Sequence, residues 1–169
     1  MRSGKEIEVE VPPGVTSENY ITLRGRGNVG PRGGPRGDVV ILLDVKDDPR
    51  FVRDGADLVH ERPVTFTQAA LGDEVSIPTV DGSASVRIPP GIQSGVLLRL
   101  RGQGLPHLDG PGRGDLLVRV VVWTPEHLTP EQEQLLRKLR AVEEPAPEQV
   151  PAEGQKGFWS RVKEAFTGS

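Results

Sequence analysis

Gly25-Arg26-Gly27-Asn28-Val29-Gly30 has the spacing of a dinucleotide-binding loop, G-x-G-x-x-G. That chemistry needs a helix opening directly behind the loop, so that its N-terminus meets the pyrophosphate. Pro31, Gly33, Gly34 and Pro35 follow instead and forbid one. The segment reads as a long turn between two strands. Arg24, Arg26, Arg32 and Arg36 stand among these glycines in the manner of an RGG-type RNA-binding segment. Residues 1–50 carry eight basic and eight acidic side chains, so no positive field builds up over them. The loop also has no aromatic ring on which a base could stack, and nucleic-acid binding is disfavoured.

Asp47-Asp48 and Glu143-Glu144 are adjacent carboxylates. Glycoside hydrolysis needs two carboxyls facing each other across a substrate, whereas neighbours on a strand point apart. They read as solvated turns and a helix end. Arg-Gly-Asp occurs at 36–38 and again at 113–115. Its repetition at a strand start favours a turn, with the Asp hydrogen-bonding to nearby backbone. His60, His107 and His127 stand in three unrelated contexts without a partnering Ser or carboxylate, so a hydrolytic triad has no support. No cysteine is present, which rules out a thiol nucleophile, a disulfide scaffold and a zinc ribbon within this chain. No catalytic residue is assigned, and the chain is read as a non-enzyme.

The elements that would position any site are β-strands. Gly (21) and Pro (16) are abundant in 169 residues and aromatics are only 4%, which suits an all-β chain with many turns. No apolar run reaches a membrane span and no signal-peptide core opens the chain, so a cytoplasmic location is expected. The net charge of −3 does not suggest a nucleic-acid partner.

The chain repeats itself at an offset of 77. Val11-Pro12-Pro13-Gly14-Val15 returns as Ile88-Pro89-Pro90-Gly91-Ile92. Leu23-Arg24-Gly25-Arg26-Gly27 returns as Leu100-Arg101-Gly102-Gln103-Gly104, and Arg36-Gly37-Asp38 as Arg113-Gly114-Asp115. The repeat covers 7–46 and 84–123 without a gap. A shared core face must be apolar in both copies, which sets the strand phase. Ile7, Val9 and Val11 match Ala84, Val86 and Ile88. Val39, Ile41, Leu43 and Val45 match Leu116, Val118, Val120 and Val122. The opposite face, with Asp44 and Arg119, is taken as the wetter one. Short strands are expected at 20–24 and 97–101, and Gly-rich loops at 25–37 and 102–114.

Between the copies, Asp57 to Val64 reads as a strand and Phe66–Leu71 as a short helix stopped by Gly72. Glu74–Val80 and Ser83–Ile88 flank Asp81-Gly82, a hairpin signal. The second copy thus has a full set of strands, while the first begins abruptly and reads as a truncated β domain. Thr129-Pro130-Glu131-Gln132 is a capping-box helix start, with Leu135, Leu136, Leu139 and Val142 forming a narrow apolar stripe behind it. The expected domains are 1–46, the end of a first β domain, and 47–126, a second one. A helix over 127–144, a flexible linker over 145–155 and an amphipathic tail over 156–169 complete the chain.

Taken together and in order, these pieces resemble the carboxy-terminal region of bacterial DnaJ-type co-chaperones. Phe51-Val-Arg-Asp-Gly-Ala-Asp-Leu58, Gln68-Ala-Ala-Leu-Gly72 and Leu128-Thr-Pro-Glu-Gln132 strengthen the likeness, which runs from about residue 5 to 142. The resemblance implies two β-sandwich-like peptide-binding units, the first truncated, followed by a dimerising helix. It implies a chain that holds unfolded polypeptides for a DnaK-type ATPase chaperone and forms a homodimer. The His-Pro-Asp tripeptide and helical J domain that engage the ATPase are absent from this sequence. A zinc module, where members carry one, would lie upstream, so no cofactor is expected within this chain. The likeness places client-binding positions at Ile7 and Ile41, with Val9 and Val39 beside them on the apolar phase. The stripe Leu135, Leu136, Leu139 and Val142 exceeds what one short helix at a chain end hides, and it is assigned to the dimer contact. A non-chaperone dimeric scaffold and an RNA-binding β protein are the alternatives.

Overall fold

The computed structural model describes residues 6–148. The linker expected at 145–155 lies mostly outside these residues, and the tail at 156–169 entirely so. Eight strands and two helices follow in the order β1 (Tyr20–Leu23), β2 (Val39–Leu42), β3 (Val52–Asp54), β4 (Asp57–Thr65), α1 (Phe66–Leu71), β5 (Asp73–Thr79), β6 (Gly82–Ile88), β7 (Leu97–Leu100), β8 (Leu116–Trp123) and α2 (Pro130–Arg140). The chain is β-dominated, as its composition implies.

The second unit, made of the second copy and the segment before it, holds six strands and α1. Its main sheet has the order β3-β4-β8-β7, with β4 and β8 parallel and the outer pairs antiparallel. The β5–β6 hairpin packs on this sheet. Ile77, Val86 and Ile88 from the hairpin share one buried cluster with Leu58, Val64, Leu116, Val118 and Val120 from the sheet. Ala69 of α1 closes one end of that cluster. Thr65 caps α1: its hydroxyl accepts from the Gln68 N–H while the Gln68 side chain accepts from the Thr65 N–H.

The repeat recurs in the strand pairing and in the loop closure. In the first copy Leu23 pairs with Val39 and Ile21 with Ile41. In the second Leu100 pairs with Leu116 and Leu98 with Val118, each shifted by the same offset. Both Gly-rich loops close in the same way. The Gly25 N–H donates to Asp38 Oδ1 at 2.8 Å, and the Gly102 N–H to Asp115 Oδ1 at 2.9 Å. The Asp of each Arg-Gly-Asp therefore ties the two ends of its loop together across 13 residues, a longer reach than the local turn expected. The G-x-G-x-x-G stretch runs into a single 3-10 turn at Pro31–Gly33, and no α-helix follows it.

Three expectations are corrected. Residues 7–11 form no strand. Their counterparts at 84–88 are held by pairing with β5, as in Ile77↔Ala84 and Val75↔Val86. No such partner for 7–11 exists among the described residues. The β5–β6 turn is Val80-Asp81, flanked by the pair Thr79↔Gly82, one residue earlier than Asp81-Gly82. A type I′ turn needs positive φ at both central residues, which branched Val80 resists. Gly82 alone takes the positive φ, +151°. Finally, α2 ends at Arg140, where Ala141 and Val142 close a tighter turn onto the Lys138 and Leu139 carbonyls. Val142 is thus beyond the helix and not on its stripe.

Candidate functional site

The two copies share register but not burial. Leu116, Val118 and Val120 are 0% exposed. Their counterparts Val39, Ile41 and Leu43 are all half-buried. Val86 is buried and Val9 half-buried, while Ile88 at 1% exposure contrasts with Val11 at 54%. The cause is neighbours rather than side-chain type. β8 lies between β4 and β7, under the β5–β6 hairpin, whereas β2 pairs only with β1. Every buried hydrophobic of the described residues lies between Leu58 and Val120.

Val39 and Ile41 stand two apart on one face of β2, beside Leu23 and Ile21 of β1. Ile7 and Val9 precede the hairpin on chain that forms no strand, half-buried like the other two. In the second unit the same positions are core: Val118 is in the buried cluster and Ala84 packs against it. β2 therefore offers two things an extended polypeptide can use, a half-open apolar face and a strand edge whose N–H and C=O groups have no ladder partner among the described residues. The other face of the hairpin is less polar than expected. Tyr20 faces Leu42 across the strands, and both are exposed together with Val40. Sequence reasoning missed these three because the second copy places Arg119 opposite Leu97 there.

α2 presents its leucines outward. Leu135, Leu136 and Leu139 are exposed and no residue of the helix is buried. Val142 is exposed as well. The helix is well terminated by itself. The Gln132 N–H donates to Thr129 Oγ1, Glu131 and Glu133 sit in the first turn, and Arg137, Lys138 and Arg140 in the last.

The Asp48 carboxylate accepts from the Arg50 Nη2 at 2.7 Å and from its backbone N–H at 2.9 Å, which holds its pKa down to about 2. Gln68 and the Glu74 N–H lower the Asp73 pKa in the same way. His60 Nδ1 lies 2.9 Å from the Arg50 carbonyl and its ring tilts against Phe51. A cleft of about 200 Å³ beside Val45, Asp47, Asp48, Phe51 and Leu105 brings no nucleophile, base and orienting group together. The described residues do not fit a zinc site. The sequence has no cysteine, and no three His, Asp or Glu cluster among the described residues. No helix among the described residues is long and apolar enough to cross a membrane.

Two contacts escaped sequence reasoning. Arg53 Nη1 and Nη2 donate to the Val15 and Gly14 carbonyls, joining the second unit to the Pro-Pro-Gly turn of the first. Asp57 Oδ1 accepts from the Asp115 N–H at 2.7 Å, anchoring the start of β8. Both partners are far apart in sequence, and no local pattern announces them.

The described residues form a duplicated β architecture with one uncovered strand edge on β2. The model of the DnaJ C terminal domain matches residues 1–125. The chaperone protein DnaJ of Salinibacter ruber is 45% identical over 163 residues, 96% of this chain and 42% of that protein. That of Roseiflexus sp. strain RS-1 is 44% identical over 98% of this chain and 44% of its own length. That of Halalkalibacterium halodurans is 42% identical over 99% of this chain. The chain belongs to the DnaJ C-terminal domain family and is a module of DnaJ-type co-chaperones. It spans about two fifths of the length of the curated relatives it matches.

Proposed function

We propose that this chain holds extended segments of unfolded polypeptides along its first β unit and pairs with a second copy through α2. In a full-length cytoplasmic protein it would present those clients to a DnaK-type ATPase chaperone, with which a J domain makes contact. The observation that supports the reading most is the contrast between Ile41 and Val118. They hold one register position in the two copies, half-open in the first and sealed in the second. A client strand laid along β2 would gain main-chain hydrogen bonds at the edge and place alternate side chains over Val39, Ile41, Ile7 and Val9. Each Å² of apolar surface so covered is worth about 25 cal/mol.

The test is suppression of aggregation of a chemically unfolded model protein. The chain should slow aggregation at stoichiometric concentration, and Ile41→Ser should weaken the effect while its circular dichroism stays unchanged. A dimeric chain without any suppression would leave a passive scaffold as the better reading. Tight, salt-sensitive binding of a generic single strand with no suppression would favour the RNA-binding alternative.

A further inference from the structure

We propose that the Gly-rich loop of the first unit, residues 24–38, is a docking surface for acidic stretches of extended peptides. The proposal deepens the client-binding reading by naming the charge that should flank a bound segment, yet it can fail separately. Its basis is a comparison of two loops with one frame. Both are closed by the same Asp-to-Gly hydrogen bond, by the pairs Gly27–Gly37 and Gly104–Gly114, and by the bridges Val29↔Arg36 and Pro106↔Arg113. Their charge differs. Residues 24–38 hold four arginines and one aspartate, net +3. Residues 101–115 hold two arginines and two aspartates, net zero.

The frame does not need those charges. Gln103 stands where the first loop has Arg26, and Asp109 where it has Arg32. Arg113 is committed: its Nη1 meets Asp81 Oδ2 at 2.8 Å and its Nε donates to the Gly104 carbonyl. Its counterpart Arg36 is exposed and makes no ion pair among the described residues, and the same holds for Arg24, Arg26 and Arg32. Arg32 also sits at φ 58°, the only non-glycine with positive φ among the described residues, at the tip of the loop. Four exposed guanidiniums without carboxylates are suited to bidentate capture of carboxylates from elsewhere.

Position selects a peptide over a nucleic acid. The loop joins the end of β1 to the start of β2, so a strand added along β2 has one terminus beside it. No aromatic in 24–38 offers a base a stacking platform, and the chain as a whole is net negative.

Fluorescence anisotropy with the full 169-residue chain tests this. The probes are a labelled apolar peptide with Asp/Glu flanks, the same peptide with Ser/Gly flanks, an acidic peptide without apolar residues, and a single-stranded RNA of equal charge. At about 0.05 M salt the acidic flanks should tighten binding about tenfold, and about 0.5 M salt should erase the gain. The fourfold variant Arg24→Ser, Arg26→Ser, Arg32→Ser, Arg36→Ser should lose the gain, and Arg101→Ser should keep it. Should the fourfold variant misfold, Arg32→Ser alone should lose part of the gain. Equal affinity for acidic and neutral flanks overturns the proposal and leaves the client reading standing. Binding of both acidic peptides with no benefit from the apolar residues overturns the client reading and leaves the loop's role intact. RNA binding as tight as the acidic peptide, and lost in the same variant, overturns it in favour of a general polyanion site.

Discussion

Arg53 reaches across the chain to Val15: its Nη1 donates to the Val15 carbonyl at 2.8 Å while Nη2 takes the Gly14 carbonyl at 2.7 Å. Gly14 is packed so closely on the second unit that a Cβ there would lie 2.5 Å from the Pro106 carbonyl oxygen. Its φ of +88° suits glycine as well. One guanidinium on β3 thus holds the turn that leads into β1, and with it the placement of the open hairpin.

Arg53→Ala should therefore cost about 1–2 kcal/mol, since it removes the two hydrogen bonds to the turn and a third, from Nε to the Gly55 carbonyl. Urea unfolding followed by circular dichroism measures it. Amide exchange near Val15 should rise while that of β8 stays slow. An unchanged unfolding midpoint would show that the turn is held by other means.

Ile41→Ser and Val118→Ser separate an open position from a sealed one. Val118→Ser removes buried methyls and buries a hydroxyl, and should cost about 2–4 kcal/mol. Ile41→Ser should cost about 1 kcal/mol or less, because solvent already reaches that side chain. Thermal unfolding of the two variants decides it. Equal losses would make Ile41 an ordinary core residue.

Glycines of one loop should differ sharply. A Cβ on Gly104 would sit 2.6 Å from the Ala56 carbonyl oxygen and 2.6 Å from the Gly114 carbonyl carbon, both rigid backbone. Gly104→Ala should cost about 3 kcal/mol or more, since either the loop or the start of β4 must shift. Gly102 faces open space at φ 68°, so Gly102→Ala should cost only about 1 kcal/mol from the left-handed backbone. Comparable melting temperatures for the two variants would contradict this.

The leucines of α2 are exposed in the single chain, so replacing them should not disturb its fold. Leu135→Asp with Leu139→Asp is expected to give a monomer by light scattering with the melting behaviour of the β units retained. Retention of a dimer mass would place the contact between copies elsewhere.

The pH response of the Asp48–Arg50 pair has a definite sign. The folded pKa of Asp48, about 2, lies below its ordinary 3.8. The contact thus supports the 48–50 turn fully above about pH 4 and is lost as pH falls toward 2. Carboxyl chemical shifts should show the Asp48 midpoint near 2, returning to the ordinary range in Arg50→Ala. A midpoint near 4 in the unaltered chain would mean the pair does not form in solution.

The alternation Val39, Ile41, Leu43 and its echo Leu116, Val118, Val120 determined strand phase from the sequence alone, since period 2 in two copies admits one shared apolar face. Thr129/Gln132 likewise determined where α2 begins, because capping is an interaction between residues three apart. Burial was not legible in the same letters. Periodicity tells which side of a strand is apolar, but not whether another layer covers it. Val118 is sealed because β4, almost sixty residues earlier, lies alongside it, and because the β5–β6 hairpin closes over the sheet. Ile41 has the same pattern without those neighbours. For the same reason the apolar run 7–11 forms no strand, since a ladder needs a second chain segment that propensity cannot supply. The Arg53 clamp and the Asp57 anchor were decided by tertiary structure as well. A side chain's long-range partner depends on where the sheet delivers it, and the local sequence around Arg53 or Asp57 carries no trace of that destination.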